Sequence, residues 1–125
     1  MGAQNKKNAL ENFIKKNIQL ANQYDLKNVL IMIDAEGDLS SEDNILRANA
    51  VENHKPWVEA ANEMGCHSIR VNLNGSTENV ESWKFSSKES LANLCDYALN
   101  YNINVIVENH GGFSSDADLL MNVIT

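Results

Sequence analysis

Apolar residues recur three or four apart through the first part of the chain. Leu10, Phe13, Ile14, Ile18, Ala21 and Tyr24 have polar residues between them, and this spacing predicts an amphipathic helix over about residues 8–24. The pattern then changes to the unbroken run Val29-Leu30-Ile31-Met32-Ile33. Continuous rather than alternating apolarity predicts a strand covered on both faces, as in a parallel sheet. It ends in Asp34-Ala35-Glu36-Gly37-Asp38. Ser40-Ser41-Glu42-Asp43 then offers a capping hydroxyl and acids for a first helical turn. Ile45, Leu46, Val51, Trp57, Val58, Ala61 and Met64 carry a second helix as far as Gly65. Pro56 lacks a backbone donor and crowds the preceding turn, which predicts a kink near His54 or two helices meeting there.

Residues 68–73 alternate, with Ile69, Val71 and Leu73 on one face and Ser68, Arg70 and Asn72 on the other. The stretch NGSTENVESWKFS reads as an irregular connection, after which Ser87 and Glu89 open a helix with the stripe Leu91, Leu94, Cys95 and Ala98. Val105-Ile106-Val107 is a third strand, and Ser114-Ser115-Asp116 starts a last helix that runs to the end of the sequence. Helices alternating with strands imply an α/β fold with parallel strands and right-handed crossovers, either an open doubly wound sheet or part of a (β/α)8 TIM barrel. Arg70 and Asn72 favour the barrel. In an open sheet their face would be covered by helices, at a cost for a buried guanidinium, whereas a barrel lumen accommodates a polar upper layer. The 125 residues contain no linker or low-complexity stretch and read as one domain, 1–125.

Composition narrows the function classes. The net charge of -7, from 17 acidic and 10 basic residues, gives no electrostatic footprint for nucleic acid or an anionic membrane. No apolar stretch approaches the roughly 20 residues of a membrane span, and MGAQNKKNALENF lacks the apolar core of a signal peptide. The expected location is the cytoplasm. Cys66 and Cys95 lack a framework spacing and are expected to be unpaired thiols.

Candidate chemistry collects where the strands end, because that rim of a parallel α/β fold is open. Arg70 and Asn72 are candidate substrate-binding groups there. The tetrapeptide Val-Glu-Asn-His occurs twice, at 51–54 and 107–110. In the second copy Glu108 follows a strand, and Ile106, Glu108 and His110 share a face. Glu108 can ligate a divalent cation or act as a general base, or it can be a surface acid. His110 can bind a substrate hydroxyl, orient the glutamate, or serve as a loop hydrogen-bonder. Gly111-Gly112 permits close backbone approach but lacks phosphate-loop spacing. In the first copy Glu52 and His54 diverge on a helix and read as solvated scaffold. His67 precedes a strand and reads as structural. Asp34, Glu36 and Asp38 lack the spacing of a calcium loop. Trp83 and Phe85, in the irregular connection, either stack on a sugar ring or fill a loop core.

The stretches HKPWVEAANEMGCHSIRVNLNG and YNINVIVENHGGFSSDADLLMNVI resemble the sugar phosphate isomerase/epimerase family of xylose isomerase-like TIM barrels. The resemblance implies strands three to five of an eight-stranded barrel, a domain truncated at both ends, since a full barrel takes about 250 residues. It implies that Glu108 is the strand-five glutamate that binds manganese, magnesium or zinc, with the remaining ligands beyond Thr125. The implied reaction is metal-dependent isomerisation or epimerisation of a small sugar or sugar phosphate, by proton transfer through an enediolate, with Glu108 as a proton carrier. The chain alone is then expected to be inactive, to hold the metal weakly, and to self-associate through exposed strand edges. A related apurinic endonuclease type uses histidines on strands two and three, and Asp34-Ala35-Glu36 offers none at the matching strand end. A further alternative is a small non-catalytic α/β module that binds a ligand or dimerises.

Overall fold

The computed structural model describes residues 2–75 and 77–125. The elements are helix α1 (Ala3–Tyr24), strand β1 (Leu30–Met32), helix α2 (Asn44–Glu63), strand β2 (Ser68–Asn72), helix α3 (Val80–Leu99), strand β3 (Asn104–Glu108), a short 3-10 turn (Gly112–Ser115) and helix α4 (Ala117–Ile124). The strands form one parallel sheet in the order β1-β2-β3. Every strand lies beside its neighbour in sequence, which is how a (β/α) barrel is wound. Met32, Arg70 and Ile106 stand abreast across the sheet, and Asn72 stands opposite Glu108.

The alternation along β2 sorts its side chains as expected. Ile69, Val71 and Leu73 point into a core shared with Val58 and Ala61 of α2 and Leu94 and Ala98 of α3. The opposite face carries Arg70, with Met32 and Ile106 on either side still 63% and 40% exposed. An open, partly apolar face with a charged residue in the middle is what an arc of barrel wall presents when the facing strands are absent.

Three elements depart from the sequence expectation. Helix α2 passes through Pro56 as one helix rather than two. The missing donor leaves only the carbonyl of the exposed Glu52, where water can serve it. Its cap is Asp43, whose carboxylate accepts from the backbone of Ile45 and Leu46 at 2.9 Å each. Helix α3 starts at Val80 rather than at Ser87, capped by Asn79, whose Oδ1 accepts from Ser82 N at 3.0 Å. Ser86, Ser87 and Ser90 are buried on it, and Ser86 accepts from Arg47 Nη1 of α2 at 3.4 Å. The last helix starts at Ala117, with Asp116 as cap, and Ser114 and Ser115 belong to the 3-10 turn. Cys66 and Cys95 are both free, and no helix among the described residues is long and apolar enough to cross a membrane.

Candidate functional site

The register of β2 and β3 brings the predicted rim residues together. Arg70 Nη1 donates to Asp34 Oδ1 at 2.7 Å and to Asn72 Oδ1 at 2.8 Å, and Asn72 Nδ2 donates to Asp34 Oδ1 at 3.0 Å. On the other side Arg70 Nε lies 2.8 Å from Glu108 Oε2. That contact is an ion pair without a directional hydrogen bond, since the Nε proton has no aligned acceptor. Arg70 is only 8% exposed, so two flanking carboxylates offset the cost of burying its charge. Both carboxylates reach solvent, which screens the attraction. The hydrogen bonds from Arg70, then Asn72, hold the Asp34 carboxyl below its ordinary value of 3.8.

Glu108 Oε1 is 4.0 Å from His110 Nδ1, and His110 is exposed. The following turn is tied by serines. Ser114 Oγ accepts from His110 N at 3.0 Å and donates to Gly111 O at 2.6 Å, and Ser115 Oγ accepts from Gly111 N at 3.0 Å. A side chain at Gly112, where φ is +55°, would place its Cβ 2.6 Å from the Asn74 carbonyl oxygen. Glycine is therefore required where the rim after β3 meets the rim after β2. A cavity of about 240 Å3 opens at this rim, with Asp34, Arg70, Asn72, Asn74 and His110 in its walls, and Ile33, Gly37 and His54 completing it.

The structure thus assembles Glu108, Arg70, Asn72 and His110. It does not include Trp83. That residue lies in α3 rather than in a loop, its side chain is fully buried, and its Nε1 donates to Leu73 O at 2.7 Å beside Phe113. Its buried ring is core, not a platform for a ligand. Phe85 lies on the exposed side of α3. His54 also differs from expectation. Instead of being solvated it is 2% exposed, its Nδ1 is 2.6 Å from Ala50 O, and it joins the cavity wall. Burial pushes its pKa below 6.5. Glu52, two residues earlier, remains exposed and pairs with Lys55. The two His residues of the repeated tetrapeptide therefore line one cavity from different elements.

The acids after β1 do not converge. Glu36 accepts from Lys6 and from Trp57 Nε1, both at 3.0 Å, pinning its loop to α1 and α2. Asp38 accepts from the backbone and hydroxyl of Ser40 at 2.8 and 2.6 Å. His67 pairs with Ser68 Oγ at 2.6 Å at the start of β2, away from the rim. Among the described residues no three His, Cys, Asp or Glu side chains are grouped so as to hold a metal ion. Glu108 offers one carboxylate, with one of its oxygens already facing a guanidinium. This donor set does not make a complete metal centre.

Comparison with known proteins agrees with this geometry. Among curated proteins none matches the chain. The crystal structure of a D-tagatose 3-epimerase-like protein superposes with a TM-score of 0.79 at 18% identity, covering 90% of this chain and 45% of that one. The apo structure of 3-keto-D-glucoside 4-epimerase from E. coli superposes with a TM-score of 0.69 at 17% identity, covering 79% of this chain and 42% of the other. At these identities the likeness shows the fold, and the chain spans less than half the length of either neighbour. The xylose isomerase-like TIM barrel family matches residues 3–125. With a three-stranded parallel arc wound in barrel order and a polar rim at its strand ends, this chain belongs to that family.

Proposed function

We propose that this chain supplies part of the active site of a divalent-metal-dependent sugar or sugar phosphate isomerase or epimerase. The observation that carries the reading is the cluster at the rim, a guanidinium held between Asp34 and Glu108 on the open lumen face. Glu108 is the residue placed to remove and return a proton on the carbon next to a sugar carbonyl. Arg70 pairs with that carboxylate across the rim, and Asn72 and His110 would bind hydroxyls. Manganese, magnesium or zinc, when bound, would polarise the carbonyl, and Glu108 is the residue of this chain that would ligate it. The remaining donors would come from segments outside these residues, so the chain by itself holds the metal weakly and does not turn over. One structural neighbour is a D-tagatose 3-epimerase-like protein and the other a 3-keto-D-glucoside 4-epimerase, which supports a sugar. The net charge of -7 disfavours a nucleic acid substrate. The open strand edges and lumen face suit either further strands of one barrel or a second copy of the chain.

Saturation-transfer NMR with D-tagatose and magnesium tests the reading. Transfer to the sugar is expected in the wild-type chain, with clear weakening in Arg70→Met and no epimer formed over the same period. Absence of transfer would contradict a sugar-directed site, and epimer formation at an enzymatic rate would contradict a partial one.

A further inference from the structure

His54 sits at the middle of α2, on the inward stripe made by Arg47, Ala50, Val51, Val58 and Ala61. Most buried side-chain polar atoms have a hydrogen-bond partner, and of the two ring nitrogens of His54 only Nδ1 has one among the described residues. The bond to the Ala50 carbonyl requires the proton on Nδ1, because a carbonyl only accepts. In the neutral ring that leaves Nε2 with its lone pair and no proton. Nε2 has no hydrogen-bond partner among the described residues, and the ring forms part of the cavity wall facing Asp34, Arg70 and Asn72. Burial disfavours the charged ring and outweighs the opposing pull of the Ala50 carbonyl and Glu36, so the lone pair persists at neutral pH.

The rest of the wall narrows the ligand. Arg70 is neutralised by Asp34 and Glu108, so this part of the cavity carries no surplus positive charge for a phosphate. It offers an acceptor at His54 and both donors and acceptors at Arg70, Asn72 and Asp34, the pattern that matches hydroxyl groups. A volume of about 240 Å3 suits a small polar molecule.

We propose that His54 Nε2 accepts a hydrogen bond from a hydroxyl of a neutral sugar bound over Arg70 and Asn72, which makes it a specificity-determining residue contributed by a helix rather than by a strand end. The inference rests on the sugar-directed reading of the rim. The ligand at this subsite is the uncharged polyol portion of the substrate, and any phosphate lies elsewhere.

Long-range proton–nitrogen correlations on the 15N-labelled chain report the protonation of each ring nitrogen directly. The expected free state has the proton on Nδ1 of His54, and D-tagatose is expected to shift the Nε2 resonance. His54→Asn keeps a donor for the Ala50 carbonyl and removes the group at Nε2. It is expected to weaken D-tagatose binding about three- to tenfold, the worth of one neutral hydrogen bond. His54→Gln, with a carbonyl oxygen near the Nε2 position, is expected to recover part of that loss. Because the wild-type resonance is read without any substitution, a variant that fails to fold does not decide the question. D-tagatose binding that perturbs Arg70 while His54 Nε2 stays fixed would overturn this inference and leave the sugar reading standing. Absence of any perturbation by D-tagatose would overturn both.

Discussion

Arg70 organises the rim because it stands between the ends of β1 and β3 with a carboxylate on either side. Its effect is testable through Asp34, whose carboxyl it holds below 3.8. A carboxyl depressed in the folded state contributes stability that is present above its unfolded value and lost as pH falls through the folded value. Carbon-detected NMR titration should therefore place the Asp34 midpoint below 3.8, and Arg70→Met should return it towards that ordinary value. An unshifted midpoint in the wild-type chain would show that the guanidinium is not held there in solution. Arg70 and Asn72 were legible in the sequence because strand alternation fixes their face regardless of what packs against it. His54 was missed for the opposite reason. Its neighbours Glu52, Lys55 and Pro56 give it a polar setting in the sequence, and only the approach of Ile33, Gly37 and Arg70 makes it part of a cavity wall. A signal did exist, since 47, 51, 54, 58 and 61 follow helical spacing through residues that are otherwise mostly apolar.

Among the elements, α3 teaches the most. Its first two turns, VESWKFSS, hold three serines, whose hydroxyls compete for backbone hydrogen bonds and look like loop. Yet Asn79 is a good cap, and Trp83 supplies the apolar anchor that draws those turns onto the sheet. Burial of the indole outweighs the weak helix propensity around it. Trp83→Phe keeps much of the apolar volume but strands the Leu73 carbonyl, and should cost about 1–3 kcal/mol in urea unfolding. An unchanged midpoint would mean that the bond from Nε1 to Leu73 O contributes nothing. The strands were easier to read, because an unbroken apolar run and an alternating one each imply a definite set of buried faces.

At the scale of the molecule, the order β1-β2-β3, the buried convex side and the open face around Arg70 describe an arc of barrel wall. The alternating helix and strand pattern allowed an open sheet or a barrel, Arg70 and Asn72 on one face of β2 favoured the barrel, and the resemblance of two stretches to the family pointed to barrel membership. The meeting of both His residues of the repeated tetrapeptide at one cavity was not legible, since it depends on how α2 lies against the strand ends. Under the proposed function, Glu108 is the residue of this chain that would ligate the metal. Manganese-induced relaxation of backbone amide signals tests it most directly. Selective broadening centred on Glu108 and His110, lost in Glu108→Gln, is the predicted result. Broadening that survives Glu108→Gln, or that centres on the acids at Asp34, Glu36 and Asp38 instead, would contradict it.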